Sequence, residues 1–238
     1  MGIDQEAFYQ KCFAKDMSRS DARKHSDIFE ILRGRQRVLD IGCGDGSLGR
    51  EMKALQGIGS VYGVDISEQA VREARSRGIN AYCVNVDKTD LPFADDYFDA
   101  VFCGELLEHL YDPDHLLDEM HRVLKQDGIC IITTPNLASW YNRLFLLLGY
   151  QPLFLDASLL HPVGYPLKFG LFGHIRGFTE KAITELCRIH NFKIVGKRGY
   201  GINTRTGYGK RFRFFAEIFN KIFFWSSVAS DLLLVLQK

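Results

Sequence analysis

Val38-Leu39-Asp40-Ile41-Gly42-Cys43-Gly44-Asp45-Gly46 runs from a short apolar strand straight into a glycine-dense turn. The stretch joins a carboxylate near the end of the strand to a backbone bare enough for a ligand to lie against it. Glycine carries no Cβ, so it permits unusual backbone angles and close approach. A turn of this kind, following a central parallel strand and opening a helix, is where nucleotide-like ligands settle in open α/β sheets.

Helix and strand patterns alternate on both sides of it. Asp21–Leu32 reads as a helix with Ile28, Ile31 and Leu32 on one face, and Leu48–Leu55 as the helix after the turn. Val61–Val64 is a strand ending at Asp65, and Ser67 caps a helix from Glu68 to Arg77. Strands follow at Asn80–Val84 and Phe98–Cys103. Asp112-Pro113 then supplies an N-cap and a first-turn proline for a helix burying Leu116, Leu117, Met120, Val123 and Leu124. Ile129–Thr134 is a fifth strand. Most of these strands are unbroken apolar runs, the pattern of parallel strands covered on both faces, which predicts a doubly wound α/β sheet.

Beyond Pro135 the rhythm breaks. Residues from Asn136 to Gly177 are rich in aromatics, leucine, glycine and proline, and a loop this long predicts a lid or binding element. Thr179 caps a helix to Ile189, Lys193–Val195 is a strand, and Gly196–Lys210 is glycine- and cation-rich. An aromatic helix, Phe212–Trp225, and a strand, Asp231–Leu236, close the chain. The expected organisation is one domain over residues 1–238, with N-terminal helices within 1–34 and an acceptor-side insertion at about 136–177.

The chain has 238 residues, enough to bury a core without staples. Its net charge of +1 argues against a dedicated nucleic-acid binder, which carries a clear basic excess. The six cysteines are scattered with no CxxC pair, so buried free thiols are expected and no metal site. The longest aliphatic run, Leu144–Leu148, is far short of the ~20 residues a membrane span needs. With a polar, mixed-charge N-terminus, the expected location is cytoplasmic.

Which ligand suits the turn? Gly44-x-Gly46-x-x-Gly49 satisfies the dinucleotide pattern, and Asp65 lies about 20 residues on, where an acidic residue binds ribose hydroxyls. That pattern alone is weakly specific. Asp40 shifts the reading, because a carboxylate here repels a pyrophosphate resting on the helix N-terminus. It suits instead a ligand with an ammonium group, such as the amino acid part of S-adenosylmethionine, and disfavours an NAD(P)-dependent oxidoreductase.

These motifs resemble the class I S-adenosylmethionine-dependent methyltransferases, and within them the type 11 group and the ubiquinone-biosynthesis O-methyltransferases. The carrying residues are VLDIGCGDG (38–46), GVDIS (63–67) and DLPFADDYFDAVFCGELLEHLYDPDHLLDEMHRVLKQDGICIITTPN (90–136), with a looser match over 173–195. The resemblance implies a mostly parallel seven-stranded Rossmann-like sheet, S-adenosyl-L-methionine as cofactor, and methyl transfer to a small or lipid-linked acceptor. It implies that Asp40 and the Gly42-Cys43-Gly44 backbone hold the methionine end, Asp65 the ribose, and Ile66, Val86 and Asp87 the adenine. Cys103, Glu105 and Leu106 would line the far wall. Each has a plainer alternative: Asp65 as a helix cap, Asp87 as a turn former, Cys43 as a small filler, and Glu105 and Glu108 as helix-surface charges. For Glu108 the surface charge is the expected reading.

Methyl transfer to a hydroxyl gains from a general base, and histidine suits that task near neutral pH. The candidates are His109, His161 and His174, of which His174 and His109 rank first. The aromatic insertion, with Trp140, Tyr141, Leu144–Leu148, Tyr150, Phe154, Tyr165 and Phe169, either lines a hydrophobic acceptor site with Phe8–His25 or makes its own small core. A basic stretch before the apolar face of residues 210–225 fits either an interfacial helix on anionic membrane or a core helix. A non-catalytic cofactor-binding partner subunit stands as the other functional reading.

Overall fold

The computed structural model describes residues 22–55, 57–166, 171–201 and 225–238. Phe8–Asp21, Phe169, the basic stretch from Thr204 onward and most of the 210–225 helix therefore lie outside the described residues.

Helix α1 (Ala22–Leu32) leads into β1 (Arg37–Ile41), α2 (Ser47–Lys53), β2 (Ser60–Asp65), α3 (Glu68–Ser76) and β3 (Asn80–Cys83). After β4 (Phe98–Gly104) come a single 3₁₀ turn (Leu107–His109), α4 (Pro113–Val123), β5 (Leu124–Pro135) and α5 (Trp140–Leu147). The last elements are α6 (Glu180–Ile189), β6 (Lys193–Tyr200) and β7 (Asp231–Gln237). The seven strands form one sheet in the order β3-β2-β1-β4-β5-β7-β6. Pairings from β3 through β5 are parallel, and β7 runs antiparallel between β5 and β6.

Local chemistry sets the element ends. Ser67 Oγ accepts the N–H of Ala70, Asp112 Oδ1 that of His115, and Thr179 Oγ1 that of Ala182, so three helices start on side-chain caps. Both faces of the sheet are covered. Leu116, Leu117, Met120 and Val123 of α4 and Ile183 and Cys187 of α6 pack on one face, against Leu39, Ile41, Val101 and Ile132. Ile28, Leu32, Met52, Val71 and Ala74, from α1, α2 and α3, cover the other, against Val38, Val61, Ala100 and Ile131. Burial on both sides explains the unbroken apolar strands.

Three elements differ from the sequence reading. β5 begins at Leu124 rather than Ile129, because Leu124 pairs with Phe98 before a register shift. β6 continues to Tyr200 through a stretch expected as loop: Gly196 sits at a shift against β7, and the rest of the strand pairs as far as Tyr200↔Asp231. The region after Pro135 is not all loop, for α5 occupies its start. Tyr141 and Leu153 form a small separate core there, with Trp140, Phe145, Phe154 and Tyr165 around them. Most of the aromatics expected to meet an acceptor thus pack on one another, while Leu146 and Leu147 of α5 and Leu148 just after it are exposed. Among the described residues no helix is long and apolar enough to cross a membrane. Cys43, Cys103, Cys130 and Cys187 are buried free thiols, whereas Cys83 is exposed.

Candidate active site

The parallel topology aligns the carboxyl ends of β1, β2 and β4, and two carboxylates meet there. Asp40 is 2% exposed, and no described residue donates a hydrogen bond to its side chain. Burial, with Asp65 adding repulsion, pushes its carboxyl up to about 7. Asp65 ends β2 and is fixed by two backbone donors: Gly44 N–H to Oδ2 at 2.9 Å and Ser67 N–H to Oδ1 at 2.9 Å. Burial still raises its pKa, against the pull of those N–H groups.

The turn between these carboxylates is locked by its own backbone. Gly42 N–H and Cys43 N–H both donate to Val64 O, at 2.8 and 3.0 Å. Gly42 has φ 76, and a Cβ there would stand 3.4 Å from the Leu106 side chain, so glycine keeps the gap between turn and far wall open. Gly46 has φ 76, and a Cβ there would lie 2.7 Å from Ala74 Cα, so it is the glycine that lets α3 close on the turn. Asp45 ties the loop down by accepting from Ser47 N–H and pairing with Arg77 at 3.0 Å. The Cys43 side chain points into the core beside Gly63, and burial pushes its thiol pKa up; it is a filler.

Around this centre the other expected contacts fall into place unevenly. Ile66 is half-buried beside Asp65, and Val86 is buried in the core with little surface to offer. Asp87 is half-buried, and its Oδ1 accepts Asp112 N–H at 3.0 Å, tying its loop to the start of α4. Cys103 has no exposed surface to offer a ligand, whereas Glu105 and Leu106, just after it, are half-buried. Glu105 holds φ 51, the left-handed region, and accepts from Lys24 Nζ at 3.0 Å.

Lys24 is the first residue sequence reasoning missed. It is buried on α1 and also reaches Asp231 Oδ2 at 3.2 Å, linking the ends of β4 and β7. Burial alone would lower its pKa, but Asp231 and Glu105 raise it above its ordinary value. Lys24 in turn holds the Glu105 carboxyl below the usual range despite burial, while burial and Glu105 together raise Asp231.

Beyond Glu105 lies a second group. The 3₁₀ turn presents Glu108 and His109, and the 173–176 segment brings His174 against them, with ring centroids 4.5 Å apart in an edge-to-face arrangement. Glu108 is 1% exposed, which corrects its reading as a surface charge: the turn tucks it under the 173–176 segment rather than turning it outward. Its Oε2 accepts from Thr134 Oγ1 at 3.0 Å, its Oε1 has no partner among the described residues, and burial with Glu105 nearby raises its pKa well above the carboxylate range. His109 Nδ1 lies 3.0 Å from Gly173 O, and His174 Nδ1 3.1 Å from Phe154 O. A carbonyl only accepts, so both Nδ1 atoms carry the proton and each neutral ring bears its lone pair on Nε2. Burial lowers both pKa values, that of His109 to about 3 with His174 adding to the effect. His161 lies in an exposed loop, and no described contact brings it to this group.

Two further anchors escaped sequence reasoning. Asp156 Oδ2 accepts the N–H groups of Phe172, Gly173 and His174, fixing the segment that carries His174. The Glu108 carbonyl accepts from Ile175 and Arg176, and the Arg176 guanidinium donates to Leu110 and Tyr111 carbonyls. Nothing in the local sequence around Asp156 marks it, since its partners lie 16 to 18 residues away.

Comparison with known proteins bears on the first of these groups. Residues 39–132 match a family described as a methyltransferase domain. A ubiquinone biosynthesis O-methyltransferase of Neisseria meningitidis is 37% identical over 113 residues, covering 44% of this chain and 46% of that protein. A protein named as a mitochondrial arginine-hydroxylase of Mus musculus is 30% identical over 104 residues, covering 44% of this chain and 30% of its own length. Among solved structures, an S-adenosylmethionine-dependent methyltransferase from Archaeoglobus fulgidus superposes over 98% of both chains with a TM-score of 0.60 at 20% identity. The seven-stranded sheet is of the Rossmann-like kind found in that structure, and residues 39–132 are similar to a methyltransferase domain. The chain spans less than half the length of these two curated relatives.

The donor set fits the cofactor this family implies. S-adenosylmethionine carries an ammonium, a sulfonium and two ribose hydroxyls, all of which suit carboxylates. Asp40 is a buried carboxylate with no donor among the described residues, and Asp65 keeps a lone pair on each oxygen beyond its two backbone bonds.

Proposed function

We propose that the protein transfers a methyl group from S-adenosylmethionine to an oxygen of a small or lipid-linked acceptor. The observation that carries this reading is the pairing of Asp40 and Asp65 across the locked glycine turn, where no side chain among the described residues gives either carboxylate a cation or a hydroxyl donor. Asp40 with the Gly42 and Gly44 backbone would hold the methionine end, Asp65 the ribose, and Ile66, Val86 and Asp87 the adenine, with Glu105 and Leu106 as the far wall.

A bound S-adenosylmethionine supplies an already activated methyl group, so the protein's task is mainly alignment and exclusion of water, worth up to roughly 7–11 kcal/mol. His109 and His174 supply the acceptor side. Their Nδ1–H groups are anchored on carbonyls, so each ring turns an Nε2 lone pair toward a proton or an electrophile. Phe154 and Phe172 lie tilted beside His174, with centroids 6.1 and 5.9 Å away, and favour an acceptor with an apolar body. A membrane contact through residues 210–225 would serve a lipid-linked acceptor; flotation with anionic vesicles tests it, and absence of association removes it.

A second reading has one observation in its favour. The arginine-hydroxylase relative carries a similar stretch under a name that denotes a different reaction, so the domain alone does not dictate methyl transfer. Calorimetry with S-adenosylhomocysteine and with NADH separates the methyl-donor site from a nicotinamide site. Label transfer from methyl-labelled S-adenosylmethionine to candidate acceptors then separates an enzyme from a cofactor-binding partner subunit. Tight S-adenosylhomocysteine binding without transfer to any hydroxylated acceptor would favour the second reading.

A further inference from the structure

We propose that Lys24 is a positioning residue: from α1 it holds the Glu105 carboxylate as a fixed negative charge between the glycine turn and the histidine pair, where that charge meets the positive sulfur of the methyl donor. This role deepens the reading above and rests on its account of the donor site.

Glu105 comes just after Cys103, which pairs with Ile41 at the end of β1. The next residue, Leu106, stands against Gly42 of the turn, and on the other side the charge of Glu105 acts on His174. Glu105 is thus a charged side chain that borders both groups. Its φ of 51 holds a glutamate in the left-handed region, and Thr133 O fixes that conformation by accepting its N–H at 2.9 Å. Backbone strain of this kind gathers at ligand sites. The side chain is 40% exposed, although Lys24 and Thr133 beside it are buried. An accessible carboxylate within a buried polar group lines a recess.

Lys24 keeps that carboxylate charged. Its Nζ lies 3.0 Å from Glu105 Oε1 and 3.2 Å from Asp231 Oδ2, and the two carboxylates share the cation unequally. Burial pushes both pKa values up; Lys24, with the Thr133 hydroxyl, outweighs burial at Glu105 but not at Asp231. The negative charge therefore rests on Glu105, which is also the more accessible of the two. Bracing α1 does not call for such a group, since apolar residues of similar volume hold buried elements as well or better. A fixed anion beside a sulfonium has a use: it favours the positively charged methyl donor over the neutral thioether left after transfer.

The experiment is calorimetry of the full-length protein with S-adenosylmethionine and with S-adenosylhomocysteine between pH 7 and 9. The two ligands share ammonium, ribose and adenine, so a change in the ratio of their affinities between variants reports on charge at sulfur. Glu105→Gln keeps the volume and should lower the preference for S-adenosylmethionine by roughly tenfold or more. Lys24→Met should make the preference pH-dependent, reduced at pH 7 and recovering toward pH 9, because the stranded carboxyl then ionises only at higher pH. Lys24→Arg, which keeps the charge, should behave as wild type. Besides Lys24, the titratable groups that act on Glu105 or feel its charge are Asp231 from β7, Glu108 from the 3₁₀ turn, Cys103 from β4 and His174 from the 173–176 segment. All of these are common to wild type and the Lys24 variants, so the difference isolates Lys24. A role confined to bracing α1 predicts lower stability with the preference unchanged. Circular dichroism confirms that each variant is folded, and should Lys24→Met fail to fold, Glu105→Gln decides. An unchanged preference in Glu105→Gln overturns the proposal, as does a Lys24→Met preference equal to that of wild type at every pH. If wild type binds neither ligand, the reading of the donor site falls and this role with it; if wild type binds both and the variants keep its ratio, this role alone falls.

Discussion

The two halves of the site are built in opposite ways. The half proposed for the methyl donor is local: Asp40, Gly42, Gly44 and Gly46 are near neighbours in the chain, and Asp65 joins them from the adjacent strand through one hydrogen bond from Gly44 N–H. The half proposed for the acceptor is assembled at long range from Lys24, Glu105, the 107–109 turn, Thr134, Asp156, the 173–176 segment and Asp231. A local site is held by backbone shape and fails by steric clash. A long-range site is held by charge and polar bonds, and it fails by leaving a group unpaired. Each half can be broken in its own manner.

The largest effect is expected at Gly46. Alanine there must accept φ 76 and place its Cβ 2.7 Å from the Ala74 backbone, which cannot yield without moving α3. Left-handed strain and overpacking together should cost about 3–5 kcal/mol. Denaturant unfolding should show a markedly lower midpoint with an unchanged slope, and S-adenosylhomocysteine binding should weaken with it. A near-wild-type midpoint would mean that α3 does not press on the turn as described.

Lys24→Met tests the other half. Methionine keeps the volume but leaves Glu105 and Asp231 facing each other without their shared cation. Removing one member of a buried ionic group costs about 3–5 kcal/mol, and partial exposure of Glu105, at 40%, reduces this to roughly 2–3. Adding Asp231→Asn should recover part of the loss, because it removes one of the stranded carboxylates. A double variant no more stable than the single one would show that α1 is held by packing, not by charge.

The same contrast explains what the sequence discloses. The donor half follows from adjacent residues and from strand and helix periodicity, so β1, the turn, β2, α3 and α4 are read off with boundaries close to those observed. The acceptor half depends on contacts between residues far apart, and no periodicity encodes them. Lys24 did leave a trace: it stands four residues before Ile28 and eight before Leu32, on the apolar face of α1, where an unpaired lysine has no place. Glu108 left none, because a carboxylate followed by histidine after a strand reads equally as a solvated turn. The strand beyond Gly196 was hidden for a different reason. β6 is an edge strand, and its glycines and cations are the residues that make an edge look like a loop.

Asp40→Asn sharpens the comparison by separating stability from binding within the donor half. The folded carboxyl titrates at about 7 against an ordinary value of 3.8, so the folded state binds its proton more tightly than the unfolded state. Stability from this group is therefore greatest at low pH and falls as pH rises from about 4 through 7. Asparagine removes that loss, and in the absence of cofactor the variant should be more stable than wild type at pH 8, by about 1–3 kcal/mol, with a flatter stability profile over that range. S-adenosylhomocysteine binding should move the other way, weakening about tenfold or more. A variant that is destabilised at pH 8 would show that the carboxylate has a structural partner.

The smallest effect lies outside both halves and serves as their reference. His190, at the end of α6, places Nδ1 2.6 Å from Asp118 and Nε2 2.9 Å from Asp114, bracing α6 against α4. Burial opposes its charge, but the two carboxylates win and raise its pKa above 6.5. A raised histidine pKa gives stability that is fully present below about 6.5 and is lost as pH rises through the folded value. Both aspartates are largely exposed, so the gain is limited to about 0.5–1 kcal/mol. His190→Ala should lower the unfolding midpoint at pH 6 and do little at pH 9, with S-adenosylhomocysteine binding unchanged at both. If binding also shifted, the two halves would be coupled through the α4–α6 face, and neither could be treated as an independent site.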